Sequence, residues 1–276
     1  MSWCWQRRWT GRIEAVIFDV AGTLLDFGSC APAGVFVEVF AAEGVAISLA
    51  EARGPMGAEK RAHVRELLFA PAIAARFAAA HGRPPTEADV DRIYAAFVPA
   101  QLACLARYAE LVPGALETCR ALRARGVKLA ANTGYSREML EICLAEARRQ
   151  GLELDDAVAA SDVPAARPRP AMCLLNAARL AVPDVTACLK VDDTVPGIEE
   201  GLAAGMWTVA VAVSGNEVGL PLAEWRALPH AEQARLRARA VERLARAGAH
   251  LVIDSVAELL PAVAEIESRL SRGERP

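Results

Sequence analysis

No CxxC pair, no GxGxxG or Walker-type glycine loop, no internal repeat and no low-complexity block occurs in the sequence. Nor does any apolar run approach the ~20 residues that span a bilayer. The missing glycine loops remove the common dinucleotide and P-loop sites from consideration, and the missing apolar run removes a transmembrane helix. The seven cysteines (Cys4, Cys30, Cys104, Cys119, Cys143, Cys173, Cys188) are odd in number and scattered. They point to reduced thiols in a cytoplasm, not to a disulfide frame or a zinc site. The first twelve residues, MSWCWQRRWTGR, have no apolar h-region, so they read as a short tail and not as a signal peptide. An excess of one charge is also lacking. The net charge of −3 supplies no field that draws the chain onto nucleic acid or an anionic membrane, so any bound anion must be held by a local site. The arginine-rich segment AEQARLRARAVERLARAGAH alternates its charges with an apolar stripe and has no interleaved aromatics, which predicts a solvated amphipathic helix.

What is present is an ordinary globular composition, 54% hydrophobic and 24% charged over 276 residues, enough for one large domain or one domain with a smaller insert. Five short apolar runs predict strands: 14–20, 127–133, 187–193, 207–213 and 250–255. Their near-continuous apolarity means burial on both faces, as in a parallel sheet covered by helices. Helical patterns at 115–126, 136–151 and 171–181 alternate with them, which predicts an α/β, doubly wound, Rossmann-like fold. From about Phe27 to Tyr108 only helical patterns occur, so an all-helical insert follows the first strand. Ligands bind at the C-terminal edge of open α/β sheets, and an insert placed there is positioned to supply substrate contacts.

Asp19 closes the first strand, Thr133 the second, and the pair Asp192 and Asp193 the third, with RPRP (Arg167 to Pro170) in a loop just before a helix. In a parallel sheet these residues arrive at one rim. Carboxylates gathered there repel one another unless a cation sits among them, and hard carboxylate oxygens suit Mg²⁺. Thr133, the amides of the TGY turn through Gly134 and Tyr135, and Arg167 are then placed to donate to phosphate oxygens. Singly, each residue has a plainer reading as a turn or surface residue. It is their order along the chain, FDxxGT, helical insert, TG, basic residue, DD, that points to a site.

That order resembles the haloacid dehalogenase superfamily, whose members use the first-strand aspartate as a nucleophile. The resemblance runs from Ile13 to about Ile266. Within the superfamily the chain is most similar to the phosphonatase family, on FDVAGT, GPMGAEKRAHV, TGYSREM, DVPAARPRPAM, LKVDDTVPGIEEGLAAGMWTV and GAHLVIDS. The segment GPMGAEKRAHV is the most specific, because general phosphatases of the superfamily have no reason to match it. The resemblance implies a discontinuous core of residues 13–27 and 108–266, a helical cap of residues 28–107 and a tail of residues 1–12. It also implies hydrolysis of the carbon–phosphorus bond of phosphonoacetaldehyde, with Mg²⁺ on Asp19, the Ala21 carbonyl and Asp193. A homodimer packed through the caps, with no nucleic-acid or membrane partner, goes with it.

Superfamily phosphatases carry a second aspartate two residues after the nucleophile, which protonates the leaving alkoxide; here that residue is Ala21. Without a positioned acid such a reaction forfeits ~10²–10⁴ in rate. Either the chain is a weakened phosphatase or its leaving group is not an oxygen. Carbon–phosphorus cleavage needs an electron sink instead, which an amine provides by condensing with a neighbouring aldehyde. Lysine is scarce beside arginine in this chain, and Lys60, alone an ordinary surface lysine, matches the family's Schiff-base lysine. Such an amine must be partly neutral near pH 7, so a dry, shielded place is expected for it. His63 follows one helical turn later on the same face, where it could shuttle protons. By the resemblance, Met56, Gly57 and Tyr135 shape the closed site. The chain departs from the family's usual pattern at Val20 (Trp), Ala166 (Gly), Ser29 (Cys in some) and Gly197 (a metal-site Asp in some). Asp193 is taken as the direct metal ligand and Asp192 as a supporting or alternate one. A phosphomonoester phosphatase or mutase, under which Lys60 has no purpose, and a non-catalytic binding protein are the competing readings.

Overall fold

Short runs of β-branched and small apolar residues build the strands β1 (Ala15–Phe18), β2 (Lys128–Thr133), β3 (Asp156–Ala159), β4 (Cys188–Asp192), β5 (Trp207–Val211) and β6 (Leu251–Ile253). In this computed structural model, which describes residues 9–276, they form one all-parallel sheet in the order β3-β2-β1-β4-β5-β6. Residues 1–8 of the expected tail, Cys4 among them, lie outside the described residues. Successive residues of β1 point to opposite faces: Val16 and Phe18 join one apolar cluster, Ala15 and Ile17 another. Burial on both sides is why the central strands read as uninterrupted apolar runs.

β3 was not expected. It is four residues long, opens on an acid and lies at the sheet edge with its first half only part-buried, so it shows neither a long apolar run nor a clear alternation.

Between β1 and β2 lie five helices: α1 (Cys30–Ala42), α2 (Leu49–Arg53), α3 (Lys60–Phe69), α4 (Pro71–His81) and α5 (Glu87–Tyr108). α2, five residues long, is too short to show a helical period; it starts on a reciprocal cap in which Ser48 Oγ accepts from the Glu51 amide and Glu51 accepts from the Ser48 amide. Pro71 opens α4, and Gly82 ends it in a left-handed conformation. Phe36 of α1 stacks on Phe97 of α5 at 4.3 Å between ring centroids, inside the apolar interior of this insert. Arg53, at the end of α2, donates to the carbonyls of Gly28, Ser29 and Gly219, tying α2 to the turn before α1 and to the loop after β5.

The remaining helices are α6 (Ala115–Ala124), α7 (Arg137–Arg149), α8 (Ala171–Arg179), α9 (Val195–Ala203), α10 (Leu222–Ala227), α11 (His230–Arg246) and α12 (Leu259–Ser271). α8 supplies Cys173 and Ala177 to the cluster containing Ala15 and Ile17, while α6 and α12 cover the opposite face, which makes the sheet doubly wound. α11, the arginine-rich helix, fully buries Ala240 and Leu244, packs Leu236 and Val241 beside them and turns its arginine face to solvent. Among the described residues no helix is long and apolar enough to cross a membrane.

Candidate active site

β2, β1 and β4 are neighbours, so their C-terminal ends bring Thr133, Asp19 and the pair Asp192 and Asp193 side by side. One carboxylate oxygen each of Asp19, Asp192 and Asp193 lies within 4.8 Å of the others, and all three residues are buried. The turn after Asp19 runs close beneath Asp193. At Gly22 the backbone has φ +94°, and a Cβ there would lie 2.3 Å from Asp193 Oδ2, so only glycine fits. Thr23 Oγ1 donates to Asp193 Oδ1 at 3.1 Å and the Asn216 amide donates to Oδ2 at 2.8 Å. Burial first, then the charges of Asp19 and Asp192, pushes the Asp193 carboxyl well above the usual range. A set of hard oxygen donors this crowded, fixed by hydrogen bonds, fits a divalent cation.

Asp192 is engaged elsewhere. Its Oδ1 accepts from the Thr194 amide at 3.0 Å and the Thr194 hydroxyl at 2.7 Å. Its Oδ2 pairs with Arg167 Nη2 at 3.1 Å and Lys190 Nζ at 3.0 Å. Burial alone would raise its carboxyl, but Arg167 and Lys190 outweigh that and hold it below the usual range. A Cβ at Gly197 would fall 2.0 Å from Asp192 Cγ. A side chain at 197 and the present Asp192 are therefore incompatible, and the departure at 197 has a steric reason.

Arg167 is buried although Ala166 before it is half-buried. Its Nη2 lies 2.8 Å from Asp19 Oδ1, 2.9 Å from the Asn132 carbonyl and 2.7 Å from Asn132 Oδ1. Burial works against its charge, yet Asp192, Asp19 and Glu200 hold it charged. For Asp19, burial and then Asp192 push the carboxyl up to about 6 against the pull of Arg167 and Lys190.

The insert closes over this rim. The Glu59 carboxylate caps α3 by accepting from the Arg61 and Ala62 amides, both at 2.8 Å, which makes Lys60 the first helical residue. Lys60, Met56, Gly57 and Ser29 from the insert face Asp19, Ala21, Thr133, Gly134, Tyr135 and Arg167 across a cavity of about 20 Å³. That is roughly the space of one or two waters. Lys60 Nζ lies 5.1 Å from the Tyr135 ring centroid and 5.9 Å from that of Phe36. Among the described residues it makes no hydrogen bond or ion pair. Burial lowers it from 10.5 to about 8, with Asp19 opposing and Arg167 adding to the effect. Two glycines let backbone meet backbone here. A Cβ at Gly57, which has φ +93°, would lie 2.3 Å from Thr194 Oγ1, and one at Gly134 would lie 2.4 Å from the Ala58 carbonyl oxygen.

The structure thus gathers the candidates from the sequence around one cavity except Asp192, which is paired with Arg167 and Lys190, Asp193, which lies behind Gly22, and His63. His63 is fully buried away from the cavity wall, its Nε2 2.9 Å from the Ala52 carbonyl and its ring stacked on Phe36 at 3.9 Å between centroids. Among the described residues its Nδ1 has no hydrogen-bond partner, and burial followed by the charge of Lys60 drives the ring well below 6.5. Val20 packs in the core. Sequence reasoning missed Thr23, Asn132, Lys190, Thr194, Glu200 and Asn216. Thr23 carried a signal as the last residue of FDxxGT, and Lys190 as a charge inside an apolar strand.

The strand order, the inserted helices and the acids at the rim define a Rossmann-like α/β core with a carboxylate cluster that could hold a cation. The sequence pattern of the haloacid dehalogenase-like hydrolases matches residues 13–205, and the chain belongs to that family. Within it, the chain is 51% identical to the phosphonoacetaldehyde hydrolase of Hahella chejuensis, over 100% of this chain and 94% of that protein. To the phosphonoacetaldehyde hydrolase of Bordetella pertussis it is 49% identical, over 96% of each. Its fold superposes on the crystal structure of a phosphonoacetaldehyde hydrolase-like protein from Oleispira antarctica with a TM-score of 0.97 and 45% identity, covering 100% of both chains.

Proposed function

We propose that this chain hydrolyses the carbon–phosphorus bond of phosphonoacetaldehyde to acetaldehyde and phosphate. The observation that carries the reading is a buried lysine amine, without a hydrogen bond or ion pair among the described residues, on the same cavity as Asp19, with an alanine at position 21. Ala21 cannot protonate a departing alkoxide, whereas an amine beside a phosphoryl site is what carbon–phosphorus cleavage requires. The similarity to proteins named for that reaction supports the same substrate.

The steps follow from the residues. The free amine of Lys60 adds to the aldehyde carbon, and loss of water gives a protonated imine. Asp19 attacks phosphorus in line with the carbon, and the electron pair of the breaking bond flows into the imine to form an enamine. Water then opens the aspartyl phosphate and restores Asp19. The enamine takes a proton at carbon, and hydrolysis of the imine frees acetaldehyde and Lys60. Arg167, Thr133 and the amides of Gly134 and Tyr135 hold the phosphoryl oxygens, and Met56 and Gly57 close the wall beside the aldehyde. His63, one turn after Lys60, is held neutral and turned into the interior, where its ring stacks on the Phe36 ring that Lys60 also faces, so it supports the lysine's place and does not exchange protons with the cavity. Asp19, Asp193 and the Ala21 carbonyl would hold Mg²⁺, which would supply positive charge to offset the phosphonate among these acids.

Lys60, Met56 and Gly57 face Asp19, Thr133 and Arg167 across the cavity, so residues 28–107 act as a cap on a core of residues 13–27 and 108–266. A cytoplasmic homodimer joined through the caps completes the reading. With Mg²⁺ present, phosphonoacetaldehyde should yield acetaldehyde and phosphate in equal amounts, while p-nitrophenyl phosphate should turn over at least about 10²-fold more slowly. The reverse ranking would identify a phosphomonoesterase.

A further inference from the structure

Behind the rim, on the side away from the cavity, lies a closed set of buried polar groups that the proposed chemistry does not use. Glu200, on the second turn of α9, is fully buried. Its Oε2 accepts from Arg167 Nε at 2.9 Å, and its Oε1 lies 3.4 Å from Asn132 Nδ2. Asn132 Oδ1 accepts from both Arg167 Nη2, at 2.7 Å, and Lys190 Nζ, at 2.6 Å. Lys190 Nζ in turn lies 3.9 Å from Glu200 Oε2, so a second buried cation balances the carboxylate from behind.

A guanidinium has five N–H donors in one rigid plane. In Arg167 the Nε edge is taken by Glu200 and Nη2 by Asp19, Asp192 and Asn132. Nη1 has only a long contact, 3.4 Å, to the Gly57 carbonyl of the insert. Two anchored edges fix the plane, and the third edge is left weakly bound beside the cavity.

We propose that Glu200 is the positioning residue for Arg167: by holding Nε it sets the guanidinium plane so that Nη1 meets a phosphoryl oxygen. Glu200 does not line the cavity, so it reaches a bound anion only through the residues it holds, Arg167 first among them. Gly57 holds Nη1 weakly enough to yield it to that anion. This inference rests on the reading that Arg167 holds phosphoryl oxygens, and it is independent of which bond the enzyme breaks.

The test is a double-mutant cycle on inorganic phosphate, measured by calorimetry with Mg²⁺-loaded protein. Wild type is compared with Glu200→Gln, which removes the charge and keeps the shape, with Arg167→Lys, which has no Nε to orient, and with the double variant. Glu200→Gln should weaken phosphate binding about fivefold in the wild-type background and less than about twofold beside Arg167→Lys. A merely structural carboxylate would repeat its full loss in both backgrounds, and that result, or no loss in either, overturns the proposal. Should Arg167→Lys itself leave phosphate binding unchanged, the phosphoryl role of Arg167 fails, and this inference with it. If Glu200→Gln does not fold, Glu200→Asp keeps the charge, withdraws the carboxylate from Nε and is read by the same cycle.

Discussion

Arg167 Nη2 lies 2.8 Å from Asp19 Oδ1, so the guanidinium assigned to the phosphoryl oxygens also pairs with the assigned nucleophile. Both groups are buried, and removing one partner of such a pair leaves the other uncompensated, at about 3–5 kcal/mol. Arg167→Ala should therefore lower kcat/KM for phosphate release by about 10²-fold or more and also lower the thermal midpoint. Kinetics and thermal unfolding of the same preparation check both effects.

Under the proposed mechanism Lys60 sets the pH dependence. Imine formation uses the free amine, and burial brings the Lys60 ammonium down to about 8. As pH rises the reactive fraction grows, so kcat/KM should climb roughly tenfold per unit below that value and level off above it. At the ordinary value of 10.5 the climb would continue past pH 9. A pH profile of kcat/KM distinguishes the two.

The same shift destabilises the fold. Below about pH 8 the unfolded chain keeps a solvated ammonium that the folded chain must bury, a full cost of about 3 kcal/mol for a displacement from 10.5 to about 8. Between about 8 and 10.5 the folded amine is already neutral while the unfolded one still binds its proton, so stability rises with pH and the cost fades. Lys60→Met should abolish turnover yet raise the thermal midpoint by several degrees at pH 7, with the gain shrinking toward pH 10.5. Thermal unfolding at the two pH values is the check.

Ala21 borders the cavity beside Asp19. Ala21→Asp restores the proton donor of a phosphomonoesterase but adds a negative charge next to the nucleophile. Carbon–phosphorus cleavage should fall about tenfold, as followed by acetaldehyde release. A clear gain would mean that the missing acid matters to this reaction.

The sequence carried the central strands because burial on both faces writes itself as continuous apolarity, and it carried the rim because a parallel sheet must gather Asp19, Thr133 and Asp193 at one edge. The edge strand β3 and the short helix α2 were not legible: each is too short, and β3 too exposed, for a period to show. His63 was legible as a neighbour of Lys60 along α3, but not its direction. Packing against Phe36 and the Ala52 carbonyl turns the ring into the interior, which no spacing rule reveals. Glu200, Asn132 and Lys190 meet only in three dimensions, from α9, β2 and β4, and a buried glutamate among helical residues has no mark of its own. Gly197 became interpretable only once Asp192 was seen to fill the space of its missing side chain.

The most direct measurement is borohydride reduction of the Mg²⁺-loaded protein in the presence of phosphonoacetaldehyde, followed by peptide mapping. The predicted result is irreversible inactivation, with a reduced two-carbon adduct on the peptide that contains Lys60. Undiminished activity, or an adduct on another residue, would contradict the Schiff-base role of Lys60.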